Sequence, residues 1–356
     1  MARVLVIGGG PGGLYAAAEA AKHGFDVTLM EKGKIGENIR CAEGFFDVLK
    51  RLGKPCAGVR FKVEELVIKA GSTYRFDVRP LFLWMIDRST WQKELAKRAA
   101  ETGVIIKEDS PVKPEDLKKL KGDYDFIIDA SGAPSITSRV YGFSGFYKNH
   151  CGRTVQYTVE GDFSHIGNRL KVGFLPDFWG YYWIFPKGKD EQGRETANVG
   201  IGNFDSADKR KLWGMLDDVM RREGLDGPGY RVIKSLGGIC PSKMPEKLIY
   251  DNILLVGDAA GLTSPLHGGG IDMAVISGIE AARAISRDLT GYERRIRSIF
   301  SRRLEFEKTV ATAWGKMSFE RVERVLARAC KFKFYRVLFN PRFYTPATAA
   351  LFKFIA

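Results

Sequence analysis

Residues 3–31 read RVLVIGGGPGGLYAAAEAAKHGFDVTLME, and this stretch decides the fold. Arg3 to Ile7 is a short apolar run, β-branched at Val4, Val6 and Ile7, which predicts a buried parallel strand. Six residues of glycine and proline follow, Gly8 to Gly13, and then an alanine-rich segment from Leu14 to His23 that predicts a helix stopped by Gly24. Asp26 to Met30 predicts a second strand, ending at Glu31. The order is strand, glycine loop, helix, strand, acid. Gly8, Gly10 and Gly13 fit GxGxxG: the first for a tight turn, the second for close approach of a pyrophosphate, the third for helix–strand packing. The phosphates would meet unpaired N–H groups at the helix N-terminus. Glu31 follows Gly13 by 18 residues, where a carboxylate accepts hydrogen bonds from the adenosine ribose.

Two more apolar strands end in small residues. Asp125–Asp129 leads into Ala130-Ser131-Gly132, and Asn252–Val256 leads into Gly257-Asp258-Ala259-Ala260-Gly261. Asp258 reads either as a carboxylate for a ribityl or ribose hydroxyl or as a helix N-cap. Pro265-Leu266-His267-Gly268-Gly269-Gly270-Ile271 then opens a helix over Ala274–Ala284. Its N-terminus is a positive dipole end, suited to negative charge developing on the pyrimidine edge of a flavin.

Taken together with Arg40-Cys41-Ala42-Glu43-Gly44, Asp87-Arg88 and Tyr181-Tyr182-Trp183-Ile184-Phe185-Pro186-Lys187, these motifs resemble the geranylgeranyl reductase family. That family lies within the FAD flavoproteins of the para-hydroxybenzoate hydroxylase fold and includes the archaeal digeranylgeranylglycerophospholipid reductases. The resemblance spans roughly residues 3 to 284 and implies an α/β fold: a Rossmann-like FAD-binding domain, an inserted antiparallel-sheet substrate domain and a helical C-terminal region. The expected boundaries are 1–140 and 235–290 for the FAD-binding part, 141–234 for the substrate part and 291–356 for the C-terminal region. The resemblance implies FAD contacts at Gly13, Glu31, Arg40, Cys41, Ala42, Gly44, Arg88, Asp258, Gly270 and Ile271, joined by Gly8, Gly10, Gly132, Gly268 and Gly269 from the glycine loops. Val112 is placed near the adenine by spacing alone. The C-terminal region is shorter than in many members, so chain-length preference does not carry over.

Residues 151–204 alternate and are rich in aromatics, which predicts antiparallel strands at Thr154–Glu160, Leu170–Leu175, Gly180–Pro186 and Thr196–Ile201. Tyr181, Trp183 and Phe185 fall on one face and Tyr182 and Ile184 on the other. The first set is expected to line an apolar slot for a polyprenyl chain, or else to be ordinary sheet packing. Lys187 reads as a turn residue.

The expected reaction is FAD-dependent reduction of isoprenoid carbon–carbon double bonds; an aromatic hydroxylase of the same fold and a non-catalytic electron carrier are the alternatives. Cys41 is the tentative catalytic residue, against the reading of a small buried hydrophobe. His267 is a candidate proton source, against the reading of a loop residue. The expected partners are an isoprenoid lipid and an external electron donor: NAD(P)H, a deazaflavin or a ferredoxin.

Composition bounds the rest. The 356 residues are 45% hydrophobic and carry 56 Lys+Arg against 42 Asp+Glu, which excludes wholesale disorder. Residues 291–356 hold 15 basic and 5 acidic side chains, so most of the +14 excess sits there, and no acid follows Glu323. Lys331-Phe332-Lys333-Phe334-Tyr335-Arg336 and Phe352-Lys353-Phe354 interleave cations and rings, as an interfacial segment on anionic lipid does, or as a terminal helix whose charges reach water. No nucleic-acid motif accompanies the charge, so nucleic acid is not an expected partner. Five scattered cysteines without a CxxC pair suggest a reducing compartment and no metal site. With no leader and no apolar run long enough to span a bilayer, the expected location is cytoplasmic, with any membrane contact peripheral on the inner face.

Overall fold

The computed structural model describes residues 1–355 apart from 191, 206, 207, 209 and 334; at 337 and 351–355 it describes the backbone only. The chain opens with β1 (Arg3–Ile7), α1 (Pro11–Lys22) and β2 (Asp26–Met30), then β3 (Gly44–Phe46), β4 (Val59–Lys62), β5 (Glu65–Lys69), β6 (Thr73–Asp77) and β7 (Leu83–Ile86). Next come α2 (Arg88–Glu101), β8 (Ile105–Lys107), α3 (Leu117–Asp123), β9 (Phe126–Asp129), α4 (Ile136–Val140) and α5 (Ser144–Asn149). The middle supplies β10 (Cys151–Glu160), β11 (Arg169–Gly173), β12 (Gly180–Lys189), β13 (Glu195–Asn203), α6 (Leu212–Arg222) and β14 (Arg231–Pro241). The chain continues with β15 (Ile249–Tyr250), β16 (Ile253–Leu255), α7 (Ile271–Ile285), α8 (Tyr292–Trp314), α9 (Phe319–Phe332), α10 (Tyr335–Leu338) and α11 (Pro346–Ile355).

A six-stranded sheet runs β15-β16-β9-β1-β2-β8, parallel throughout except at β15. Val4, Leu5 and Val6 are fully buried, which is why the strand is a continuous apolar run rather than an alternating one. Helices α1 and α7 cross closely because small residues meet: a Cβ on Gly278 would fall 2.2 Å from the Gly12 carbonyl oxygen. Beyond β9, the fully buried Asp129 accepts from the backbone N–H groups of Ser131 and Thr137 and from both hydroxyls, fixing the Ala130–Gly132 turn.

The second sheet has seven strands in the order β14-β10-β13-β12-β11-β5-β6. All four strands expected in the middle region are present and pair antiparallel with one another. The sheet also reaches outside residues 141–234. The β5–β6 hairpin joins it through a parallel pairing of β5 with β11, and β14 closes the other edge on β10. A three-stranded sheet, β3-β7-β4, is interleaved in sequence with the β5–β6 hairpin, which falls between β4 and β7.

The C-terminal residues form helices interrupted between Leu338 and Pro346, a stretch that contains Asn340-Pro341 and ends at Thr345-Pro346. They are structural as well as basic. Val322 and Leu326 of α9 and Tyr335 of α10 pack with Phe76 and Val78 beside β6, and the Tyr335 hydroxyl donates to the Asp77 carbonyl at 3.0 Å. Among the described residues no helix is long and apolar enough to cross a membrane.

Candidate functional site

Three glycines of the first loop differ in what a side chain would meet. Gly8 has φ +107°, and a Cβ there would fall 2.5 Å from the Ala130 carbonyl oxygen. A Cβ on Gly13 would fall 1.9 Å from the Gly8 carbonyl oxygen, so only glycine lets α1 start this close to β1. Before Gly10 there is open space to at least 4 Å. Turn, packing and room for a phosphate are thus separately satisfied, as the fingerprint requires. Glu31 closes the same corner, its carboxylate accepting from the Gly9 N–H at 2.6 Å and the Gly33 N–H at 3.3 Å. Val112 packs on the same apolar cluster, around Leu5 and Ile7, as Met30, the residue before Glu31. Gly132 has φ +87° and nothing within 4 Å of its Cβ position.

Arg88 and Asp258 face one another across this region. Arg88, the first residue of α2, bonds Gln92, whose own amide donates to the Gly9 carbonyl at 3.2 Å; the Arg88 Nε is buried and unpaired. Asp258 follows β16 in a short 3-10 turn, yet its side chain caps nothing, so the helix-cap alternative is not the one adopted. Burial raises its carboxyl to about 6, against the pull of the Arg88 guanidinium. A carboxylate and a guanidinium nitrogen without partners among the described residues, together with an open glycine backbone, are a donor–acceptor set fitted to FAD. Hydroxyls would go to Asp258, phosphates to the loop N–H groups, and ring or phosphate acceptors to Arg88.

The Pro265–Gly270 loop is held by its own side chains. Ser264 Oγ accepts from the Leu266 and His267 N–H groups, His267 Nδ1 accepts from the Gly269 N–H at 3.2 Å, and the Tyr181 hydroxyl donates to the His267 carbonyl at 2.7 Å. The loop delivers Gly270 and the buried Ile271 to the start of α7. Gly268, with φ +67°, lies close to Cys240, whose thiol burial pushes up to about 12. The His267 imidazole, expected as a proton source, is turned the other way: its Nε2 lies 3.9 Å from Glu307.

Cys41 is half-buried, and its sulfur accepts from the Glu43 N–H at 3.2 Å. The loop is tied to the seven-stranded sheet: Gln156 donates to the Cys41 carbonyl and Asn198 to the Ala42 carbonyl. Gly44 faces Phe185, with a Cβ position 4.0 Å from its ring. Arg40 is exposed and makes no hydrogen bond or ion pair among the described residues, so it does not join the cluster.

On β12, Tyr182 and Ile184 pack into the core against α6, whereas Tyr181, Trp183 and Phe185 share the other face in a row of ring contacts at 5.9 and 6.4 Å. The alternation holds as expected. Tyr181 continues through Phe204 to Trp314 of α8 at 5.9 and 6.1 Å, an aromatic lining no local pattern announced.

Glu43 and Lys187 are functional candidates that sequence reasoning passed over. Glu43 sits at φ +67° and is 4% exposed. Its carboxylate accepts from the Arg88 N–H at 3.1 Å and the Asn198 amide at 2.9 Å, and pairs with Lys187 at 2.7 Å. Lys187 is no turn residue. It falls in a β-bulge of β12 between Pro186 and Gly188, and a bulge re-aims the side chain it carries. The basic tail presents Arg324, Arg328, Lys331, Lys333, Arg336 and Arg342 as exposed residues beside exposed Phe332 and Phe343. Phe334 lies outside the described residues, and so do the side chains of Phe352, Lys353 and Phe354.

Comparison with known proteins places this geometry. An FAD binding domain family model matches residues 3–70. The chain is 31% identical to the digeranylgeranylglycerophospholipid reductase of Methanosarcina mazei, over 80% of this chain and 75% of that one. It is 29% identical to digeranylgeranylglycerophospholipid reductase 1 of Methanococcoides burtonii, over 89% and 85%. Among solved structures, a geranylgeranyl bacteriochlorophyll reductase-like protein of Thermoplasma acidophilum superposes with TM-score 0.75 at 23% identity, covering 99% of this chain and 96% of that one. A flavin-dependent brominase superposes with TM-score 0.69 at 17% identity, covering 98% and 96%. These last two likenesses establish the shared FAD fold.

Proposed function

The chain belongs to the digeranylgeranylglycerophospholipid reductase family, and from that premise we propose that it is an FAD-dependent oxidoreductase that saturates carbon–carbon double bonds in the geranylgeranyl chains of a membrane phospholipid. The observation that carries this reading is the meeting of two surfaces. The Cys41–Gly44 loop, bonded to the N-terminus of α2, lies against the apolar β12 face at Phe185. A polyprenyl chain needs an aromatic surface with few polar groups beside the place where the ring is held, and the Tyr181–Trp183–Phe185 row supplies one.

Bound FAD supplies hydride chemistry. The chain's own residues do the rest. The backbone N–H groups of Gly10, Gly12 and Gly13 at the α1 N-terminus take the pyrophosphate, Glu31 the ribose and Asp258 the ribityl hydroxyls. The α7 N-terminus stabilises negative charge at the pyrimidine edge. Tyr181, Trp183 and Phe185 orient the isoprenoid and exclude water, and Cys41 positions substrate against the ring. We assign residues 1–140 and 235–290 to holding the cofactor and 141–234 to the substrate, with β5, β6 and the remainder of β14, residues 235–241, moved to the latter. The basic face of α9 and the following segment rests on anionic lipid, on the inner side of the membrane. The electron donor is an external reductant: a nicotinamide, a deazaflavin or a small redox protein.

The test is anaerobic incubation of chemically reduced protein with a geranylgeranylated phospholipid, read by mass. A gain of two hydrogens per double bond is expected. Reversible flavin reduction without any mass gain sinks the reading in favour of an electron carrier, and oxygen incorporation into an aromatic substrate favours the hydroxylase. In the same assay Cys41→Ala is expected to slow turnover while leaving the fold and FAD content unchanged; unaltered turnover removes Cys41 from the reaction.

A further inference from the structure

Behind the Pro265–Gly270 loop four ionisable side chains are gathered together. Arg303 of α8, 1% exposed, donates from Nη1 to Asp272 and from Nε to Glu307 at 2.9 Å. Asp272 stands in the first turn of α7, and Glu307 lies one turn beyond Arg303. His267 completes the set, its Nε2 3.9 Å from Glu307 Oε1, outside hydrogen-bond range. Three buried polar atoms of this cluster have no hydrogen-bond partner among the described residues: His267 Nε2, Arg303 Nη2 and Glu307 Oε2.

The charges do not balance. With the imidazole neutral, one cation faces two carboxylates, and an uncompensated buried charge is costly. One proton would cancel it. His267 is where that proton fits. Nδ1 accepts from the Gly269 N–H, so the neutral ring carries its hydrogen on Nε2, toward Glu307; the added proton takes the Nδ1 lone pair, displacing the Gly269 N–H, and the resulting cation faces Glu307. The side chain keeps 23% exposure, which lets solvent protons in. The other groups around it are apolar or uncharged: the Phe46 ring at 5.6 Å, Tyr181 on its carbonyl, and Tyr344, stacked on Phe306 near the two carboxylates. Burial holds the imidazole below its ordinary range; Glu307 and Asp272 pull it up and Arg303 pushes it down, so the resting ring is neutral but responsive to one more nearby negative charge.

The same loop leads into the α7 N-terminus, which the functional reading gives to the flavin, and the inference rests on that reading. We propose that His267 and Glu307 form a proton-accepting positioning pair for the flavin. When bound FAD takes two electrons and one proton on an external donor's oxidation, the pair takes a second proton from solvent. The imidazole becomes a cation, and the negative charge gained by the ring is offset by the negative charge lost from the cluster.

The experiment is a spectroelectrochemical titration of the FAD-loaded protein from about pH 5 to 8, with dithionite or an electrode as donor, for the wild type, His267→Asn and Glu307→Gln. Between about pH 5 and 7, the range over which a histidine titrates, the wild type is expected to take up one more proton per two electrons than either variant, seen as a steeper dependence of potential on pH. Asn keeps an acceptor for the Gly269 N–H, so His267→Asn decides the matter even if Glu307→Gln does not fold. Equal slopes in wild type and His267→Asn overturn the proposal and leave the flavin site standing. A folded variant that has lost FAD also overturns it, because the cluster would then serve binding alone. Lipid turnover is not read, so failure of the reductase reading leaves this comparison intact.

Discussion

Lys187 Nζ lies 2.7 Å from Glu43 Oε2, and this pair joins the loop that carries Cys41 to the strand that carries Tyr181, Trp183 and Phe185. Removing the cation leaves a buried carboxylate with only two N–H donors. Lys187→Met is expected to destabilise the protein by about 1–3 kcal/mol and to slow turnover by loosening the Cys41 loop. Glu43→Gln, which leaves no uncompensated anion, is expected to cost less. Chemical denaturation checks the ranking, and equal midpoints for Lys187→Met and wild type would show the pair to be idle.

Gly10 and Gly13 make opposite predictions from one motif. Gly13→Ala forces a methyl onto the Gly8 carbonyl, an overpacking that costs about 1–3 kcal/mol, so both stability and FAD content are expected to fall. Gly10→Ala meets nothing in the protein. Its melting temperature without FAD is expected to match wild type, while FAD affinity drops about tenfold or more because the methyl stands where a pyrophosphate approaches. An undiminished affinity in Gly10→Ala means that the phosphates lie elsewhere.

Asp258 gives FAD binding a pH dependence whose sign is fixed. In the cofactor-free chain its carboxyl sits at about 6, above the ordinary 3.8. The folded state therefore binds that proton more tightly than the unfolded one, and the cofactor-free protein loses this stabilisation as pH rises through the interval. A hydroxyl donating to Asp258 favours the ionised form, so FAD binding expels the proton. Affinity is expected to be flat above about pH 7 and to fall by up to about tenfold per unit below 6. Asp258→Asn is expected to weaken binding about tenfold at pH 8 and to flatten the profile. Flavin fluorescence quenching measures both, and an equally steep profile in the variant assigns the titration to another group.

The exposed bases of α9 test the lipid contact without cutting into the core that Val322, Leu326 and Tyr335 build. Replacing Arg324, Arg328 and Lys331 together by Gln removes about 1 kcal/mol of attraction per charge on an anionic bilayer. Sedimentation with phosphatidylserine vesicles is expected to show binding weakened about 100-fold, with FAD content unchanged. Unaltered vesicle binding makes the charge a solvated surface.

Features set by neighbours in the chain were legible in the sequence. Gly8, Gly10, Gly13 and Glu31 announce themselves by spacing, and the two faces of β12 follow from a period of two. Features set by distant partners were not. Glu43 meets Asn198 across 155 residues, and no window around either reveals it. Lys187 was misread because a bulge is invisible to alternation. Arg303 and Glu307 look like an ordinary surface pair one helical turn apart; only packing against α7 and the His267 loop buries them. The seven-stranded sheet extends beyond the alternating region because β5 finds its partner by tertiary contact, not by a hairpin.

That pairing of β5 with β11 bears on how the protein is made. Glu65 aligns with Arg169, so one edge of the β5–β6 hairpin stays open while about 100 further residues leave the ribosome, on the order of 5–20 s at the usual rate of synthesis. During that interval Leu66 and Ile68 stand on a strand with one unpaired edge, of the kind that recruits other chains. Lys62 precedes β5 and Lys69 ends it, and their charges keep the nascent hairpin apart from its neighbours until its own partner strand arrives.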